Sequence, residues 1–285
     1  MKILAALKRH KWRYFAIVLG FLLFVGPGAY LIKAVFWLQG SSAVADLHKI
    51  CFRMPFDWIA GGRLATFDGR YLTIGFLVAV IGVAFVFGPL FCGWLCPVGS
   101  STELLSRPVP KKMKINLQRF ISPSALRYGF LASFVAVASL AVFVPSLGLA
   151  SICCRFCAAS QLQNIVYGIF DSSALQYWHS GAIMTAGAWL LIGGVFWQGG
   201  RGWCLYGCPL GAVSNISHVI GSKLGFTFKV KHDASQCNEC HKCDSVCPSW
   251  SLNRHSKEVD INRHTCTACL ECVKSCPKGC YSYSR

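Results

Sequence analysis

The chain has 285 residues, 54% hydrophobic and only 14% charged, with a formal charge of +17 from 28 Lys and Arg against 11 Asp and Glu. Soluble domains carry about a quarter charged residues, so this composition, with a mean hydropathy of +0.47, points to a bilayer. The cations flank apolar runs and form no basic helix interleaved with aromatics, so attraction to anionic headgroups explains them and nucleic acid is excluded as a partner.

Four stretches are apolar enough for transmembrane helices, each of which takes about 20 residues: Tyr14–Leu38, Tyr71–Leu90, Arg127–Leu149 and Tyr177–Trp197. The first contains Gly26-Pro27-Gly28 and the third Pro145, which membrane helices tolerate. Lys33 can snorkel from the first. That first run is too long for a signal peptide and lacks a clean cleavage site, so it reads as a retained anchor. Lys2, Lys8, Arg9, Lys11 and Arg13 precede it, and Arg107, Lys111, Lys112, Lys114 and Arg119 lie between the second and third spans. Only Arg155 lies between the third and fourth, and Asp46, Asp57 and Asp68 offset the cations of the first loop. The positive-inside rule therefore predicts both termini and the middle loop in the cytoplasm of a bacterium, with residues near 39–70 and 150–176 outside its inner membrane.

Seventeen cysteines exceed what packing needs, and most fall in groups with ligand spacing. In the membrane part, Cys92-Gly93-Trp94-Leu95-Cys96-Pro97-Val98-Gly99 follows the second span. Cys204-Leu205-Tyr206-Gly207-Cys208-Pro209-Leu210-Gly211 follows the fourth. Both read Cys-x3-Cys-Pro-x-Gly, which predicts an internally duplicated four-helix bundle with both motifs at the cytoplasmic face. Two readings stay open for Cys92, Cys96, Cys204 and Cys208. They are small buried residues beside a Pro-Gly turn, or four converging thiolates that form an additional redox or ligand site. On the outer side, Cys153, Cys154, Cys157 and Cys51 are expected to form one or two disulfides, with a redox or metal site as the alternative. His48, His179 and His218 form no pair within helices, so no b-type haem is predicted.

After residue 230 the hydrophobicity falls and cysteines recur as Cys237-x2-Cys240-x2-Cys243-x3-Cys247-Pro248 and Cys266-x2-Cys269-x2-Cys272-x3-Cys276-Pro277. This is the run of a bacterial two-cluster ferredoxin, written twice. Three thiolates wrap three irons of one cube and the cysteine before the proline reaches to the other. The predicted ligands are Cys237, Cys240, Cys243 and Cys276 for cluster one, and Cys266, Cys269, Cys272 and Cys247 for cluster two. The doubled run opposes a zinc site. Cys240-His241 also fits c-type haem attachment, but Val273 stands at the haem-ligand position in the second copy and Cys243 and Cys247 would be stranded.

The expected fold is thus an α-helical polytopic membrane domain over 1–229, N-in and C-in, and an α+β two-[4Fe–4S] ferredoxin domain over 230–285. The four spans, the paired Cys-x3-Cys-Pro motifs and the terminal ferredoxin together resemble the NapH/MauN family of ferredoxin-type membrane proteins. The resemblance implies the membrane component of a quinol dehydrogenase, with quinol as donor. The implied partners are a companion ferredoxin-type protein and a multihaem cytochrome or periplasmic oxidoreductase. MauN-like proteins imply electron transfer in methylamine utilisation. A maturation factor or an iron–sulfur sensor are rival readings from other classes.

Overall fold

The computed structural model describes residues 11–25, 38, 52, 70–117, 120, 122–149, 152–168 and 181–285. In the first part of the chain these form α1 (Lys11–Phe24), α2 (Arg70–Phe87), a π-helical turn (Phe91–Leu95), α3 (Pro97–Ser106) and α4 (Pro123–Phe143). There follow α5 (Ile152–Arg155), α6 (Ala158–Gly168), α7 (Ala182–Ala186) running on as a π-helix over Gly187–Val195, α8 (Gly202–Tyr206) and α9 (Pro209–Gly221). The terminal part has β1 (Lys229–His232), α10 (Lys242–Val246), β2 (Leu252–His255), β3 (Glu258–Ile261), α11 (Glu271–Ser275) and β4 (Tyr281–Ser284).

Among the described residues one helix is long and apolar enough to cross a membrane: α4, with 21 residues and a mean hydropathy of 1.8. Ile74–Phe87 and Ile183–Val195 are shorter apolar helices. Two predicted spans end early for backbone reasons. The second stops at Phe87, before Gly88 turns left-handed at φ 76°. The third stops at Phe143, because Val144 leaves helical geometry and Pro145 begins a 3-10 turn closed by Gly148 at φ 62°. The remainder of the first predicted span, with Lys33 and Gly26-Pro27-Gly28, lies outside the described residues. So do Lys2, Lys8, Arg9, Arg119, the first outer loop except Phe52, with His48 and Cys51, and the start of the fourth span with His179.

The sequence duplication becomes a crossed arrangement. The helix after each cysteine motif packs on the span of the other half: α3 on the π-helix 187–195, and α9 along α2. Each motif is thereby carried across the bundle to meet its counterpart. Val25, Leu77, Val80, Phe91 and Leu210 form one buried cluster, and Val98, Ala158, Leu190 and Trp203 another. Trp189 meets Trp203 edge-on at 5.0 Å.

The terminal part holds two antiparallel pairs, β1 with β4 (Lys229 opposite Ser284) and β2 with β3 (Leu252 opposite Ile261). Its own duplication reaches the backbone. Glu239 and His241 in the first cysteine loop, and Ala268 and Leu270 in the second, take φ values of 56°, 54°, 48° and 59° at matching positions. Left-handed residues in this pattern turn successive backbone N–H groups to one side, the concavity that iron–sulfur sites use.

A buried ionic cluster ties the two parts together. Glu103 of α3 accepts from Arg13 Nη1 and Nη2 of α1 at 2.8 and 2.7 Å, from Arg201 Nε at 2.7 Å and from Arg107 Nη2 at 2.7 Å. Glu271 of α11 pairs with Arg13 and with Arg107, the latter at 3.3 Å. The backbone of the π-turn completes it, with Cys92 O accepting from Arg201 Nη1 at 2.6 Å and Gly93 O from Arg13 and Arg201. Arg13, expected as a headgroup-facing cation, is 1% exposed, and Arg201 is fully buried. Although burial opposes its charge, the guanidinium groups of Arg201, Arg13 and Arg107 hold the Glu103 carboxyl far below the ordinary range.

Two outcomes are expected. Glu103→Ala strands two buried guanidinium groups and should cost about 3–5 kcal/mol, read as a lower unfolding temperature in detergent. His218, held by α9 against Gly88, has its pKa lowered to about 4 by burial, with Arg263 and Lys229 adding repulsion. A depressed histidine contributes stability above its unfolded value of 6.5 that is lost as pH falls through its folded value. Stability should therefore fall by about 3 kcal/mol between pH 6.5 and 4, and His218→Gln should flatten that slope.

Candidate iron–sulfur centres

The terminal cysteines gather as two groups. Cys272 interacts electrostatically with Cys269, Cys247 and Cys266, so the second loop and the cysteine before Pro248 share one site. In the other group, Arg254 donates to Cys243 Sγ at 3.1 Å and to Cys237 Sγ at 3.9 Å, while Cys276 and Cys237 both adjoin Cys280. Cys240 is the only one of the eight that is exposed. Burial alone would raise the Cys276 thiol. Hydrogen bonds from the Cys280, Lys278 and Gly279 backbone outweigh it and lower the thiol below its ordinary value. Cys280 occupies in the second repeat the place of Ser251 in the first, whose N–H likewise meets Cys247 Sγ at 3.5 Å. Burial pushes Cys266 up to about 12, so an apoprotein keeps this thiol protonated and metal binding there releases a proton.

The second cysteine loop is seated on the first membrane motif. Trp94 Nε1 donates to Ala268 O at 3.1 Å, and a Cβ added to Gly93 would stand 2.2 Å from Thr267 O and 3.2 Å from Cys269 Cα. From the other motif's helix, Asn215 Nδ2 donates to Arg263 O at 2.6 Å and Cys266 O at 2.8 Å. Trp197 and Trp250 stack at 5.3 Å. The motifs, expected at the cytoplasmic face, are covered by the ferredoxin part, with Cys92 and Cys204 only 8% and 7% exposed.

The four motif cysteines are brought together. Cys92 interacts with Cys96 and Cys204, and Cys208 with Cys92 and Cys96. Cys96 and Cys208 each end one helical turn and cap the next helix, with Pro at its first position, where proline's fixed φ suits it. The motif glycines keep space. A Cβ on Gly99 would stand 2.7 Å from Cys204 Sγ, and one on Gly211 2.4 Å from Arg127 Nη2. Arg127, expected to open the third span, is 2% exposed and donates to Asn215 Oδ1 at 2.7 Å and His264 O at 2.8 Å.

The charge around these thiols tests their fit to a cluster. Arg127 lies beside Cys208, Cys92 and Cys204, and among the described residues its Nε has no hydrogen-bond partner and it pairs with no carboxylate. A buried guanidinium in that state calls for a neighbouring anion. Four thiolates on an iron–sulfur cube make a dianion, and Arg127 is a buried cation beside them, while the nearby Arg201 is already paired with Glu103. Among the described residues no three His, Cys, Asp or Glu side chains gather tightly enough for a single ion. A cluster makes a different demand, because each thiolate binds its own iron. Arg13, Glu103, Arg201 and Glu271, which hold the motif in place, carry no spacing signature and escape sequence reading.

A sequence model described as a 4Fe-4S binding domain matches residues 70–116 and 181–227, one stretch around each membrane motif. A second, a 4Fe-4S dicluster domain, matches 229–278. The chain is 28% identical to YccM of Escherichia coli over 213 residues, covering 70% of this chain and 52% of that one, and so spans about half its length. It is 27% identical over 225 residues to the ferredoxin-type protein NapH of Haemophilus influenzae, covering 74% and 67% of the two chains. It is 23% identical over 185 residues to the regulatory protein NosR of Stutzerimonas stutzeri, covering 64% and 22%. No solved structure matches. The chain belongs to the NapH-like ferredoxin-type family and carries its 4Fe-4S sequence domains.

Proposed function

We propose that the chain is the membrane component of a quinol dehydrogenase, taking electrons from membrane quinol for a companion ferredoxin-type protein and a multihaem cytochrome or periplasmic oxidoreductase. It crosses the bacterial inner membrane four times, with the ferredoxin domain of 230–285 in the cytoplasm and the membrane domain over 1–229. Exposed apolar side chains support this placement, among them Val78 and Val83 of α2, Phe130 and Leu140 of α4, and Leu191 and Ile192 of the π-helix. Soluble surfaces rarely gather such groups.

Cys237, Cys240, Cys243 and Cys276 hold the outer ferredoxin cluster, Cys266, Cys269, Cys272 and Cys247 the inner one, and Cys92, Cys96, Cys204 and Cys208 a third. When bound, these clusters supply one-electron carriers, the chemistry needed to divide the two electrons of a quinol. The observation that carries the reading is their succession: an exposed group at Cys240, a buried group seated on Gly93, and the membrane quartet beneath it. Cys96, Cys204 and Cys208 line an apolar cavity of about 240 Å³ between α4, α6 and the motif turns, a place for a quinol ring. Phe130 and Phe134 of α4 give it aromatic walls, while Ser133, Ser160 and Gln163 supply polar groups. Arg254 hydrogen-bonds two outer ligands and would raise that cluster's potential.

The name of NosR as a regulatory protein favours a second reading, a redox sensor that senses the quinol pool without sustaining turnover. One experiment separates them. Under anaerobic conditions, a water-soluble quinol should reduce the clusters of the purified protein within the time of catalytic turnover, and Cys92→Ser/Cys208→Ser should slow this at least tenfold. Reduction by dithionite alone, with no response to quinol, contradicts the dehydrogenase reading. Reduction by quinol that does not continue to an added acceptor favours the sensor.

A further inference from the structure

The chain contains a third cysteine corner, outside every segment matched by the family models. Cys153-x3-Cys157 repeats the spacing of Cys92-x3-Cys96 and Cys204-x3-Cys208. Its backbone follows the same plan. A short helical turn ends, and the second cysteine precedes a longer helix: 10 residues in α3, 11 in α6, 13 in α9. The carbonyl of that cysteine accepts the first helical hydrogen bond, from Ser100 to Cys96 at 3.0 Å, Gln161 to Cys157 at 3.1 Å and Ala212 to Cys208 at 3.1 Å. At Cys208 the sulfur also accepts the Gly211 N–H of that first turn at 3.4 Å.

The third corner differs in detail. Ala158 and Ser160 stand where the other two have Pro and Gly, and the Cys157 N–H bonds Cys154 O at 3.2 Å, three residues back, rather than five. Cys157 interacts electrostatically with both Cys154 and Cys153, so three thiols form this group. They line the same 240 Å³ cavity as Cys96, Cys204 and Cys208. No disulfide joins Cys153, Cys154 and Cys157 to one another.

We propose that Cys153, Cys154 and Cys157 bind an iron–sulfur cluster of their own, on the side of the cavity away from the ferredoxin domain. The place along α4 carries the direction. Arg127, in its second turn, bonds His264 of the ferredoxin part, and Val137, which lines the cavity, is ten residues further along. That is about 15 Å of helix rise away from the ferredoxin side. The segment bearing the three cysteines follows the far end of α4 and folds back to pack on it. Soft thiolates suit iron–sulfur, zinc or copper(I), and the metal content of the purified chain distinguishes them. The site gives the chain a redox group on the side of the cavity away from the ferredoxin domain. It goes beyond the quinol reading and stands without it.

The test compares iron and acid-labile sulfide in the full chain, purified anaerobically, with Cys153→Ser/Cys157→Ser and with Cys92→Ser/Cys204→Ser. The outer double variant should lose about three to four irons per chain while keeping the ferredoxin and quartet EPR signals. The quartet variant should lose its own irons and keep the outer ones, so failure of either site is seen separately. Unchanged iron in the outer variant overturns the proposal, as does zinc or copper in place of iron. If that variant does not fold, the wild type decides. Thiols 153, 154 and 157 resisting alkylation until a chelator removes iron and sulfide support the site. Immediate alkylation, or alkylation after mild thiol reduction with iron retained, overturns it.

Discussion

The arrangement depends on one buried contact, the Glu103 carboxylate under three guanidinium groups. Arg13, Arg201 and Arg107 come from separate parts of the chain, and Glu271 brings the ferredoxin helix α11 into the same cluster. Buried charges are costly unless fully paired, and here the carbonyls of Cys92 and Gly93 take the remaining N–H groups. The π-turn bearing Cys92 is therefore fixed from one side by the membrane helices and from the other by the ferredoxin loop. Such a network contributes geometry more than net stability. Removing one partner leaves the others stranded, which makes the position all-or-none.

From this contact follows the order of the cysteine groups. Gly93 lets Thr267 and Cys269 approach, Gly99 leaves room for the Cys204 sulfur, and Gly211 for Arg127. The crossed packing of α3 and α9 on the opposite spans brings two motifs, 112 residues apart in sequence (Cys92 and Cys204), to one place. Electrostatics then suits the site to anions, because Arg127 and Arg201 are buried beside thiols and Arg127 has no carboxylate among the described residues. Cluster sites elsewhere are tuned by hydrogen bonds to sulfur and by nearby charge, and this chain places arginines at both ends of the series, Arg254 outside and Arg201 within.

Much of this was legible in the sequence where local spacing decides geometry. In the ferredoxin part, short loop spacing brings Cys266 and Cys269 beside Cys272, and Cys247 joins them from the other repeat, while their role as cluster ligands is part of the proposal. Spacing leaves the quartet open, because its assembly depends on how the two halves pack. Arg13 and Arg127 read as ordinary span-end cations, since nothing local reveals that Glu103 and Asn215 wait for them. Cys153, Cys154 and Cys157 read as an outer-loop group because they lie between the third and fourth predicted spans, and Ala158 and Ser160 give them no Pro-x-Gly mark. Composition overruns the span ends at Gly88 and Pro145, where a backbone turn interrupts an apolar run.

The central claim is that Cys92, Cys96, Cys204 and Cys208 hold a cluster directly beneath the inner ferredoxin site. EPR spectra of the dithionite-reduced chain and of Cys92→Ser/Cys204→Ser test this most directly. The account predicts that the inner ferredoxin signal of the wild type is split or broadened by a neighbouring spin. In the variant it should sharpen, with both ferredoxin signals retained. Identical spectra for the two proteins, with both fully folded, would contradict it.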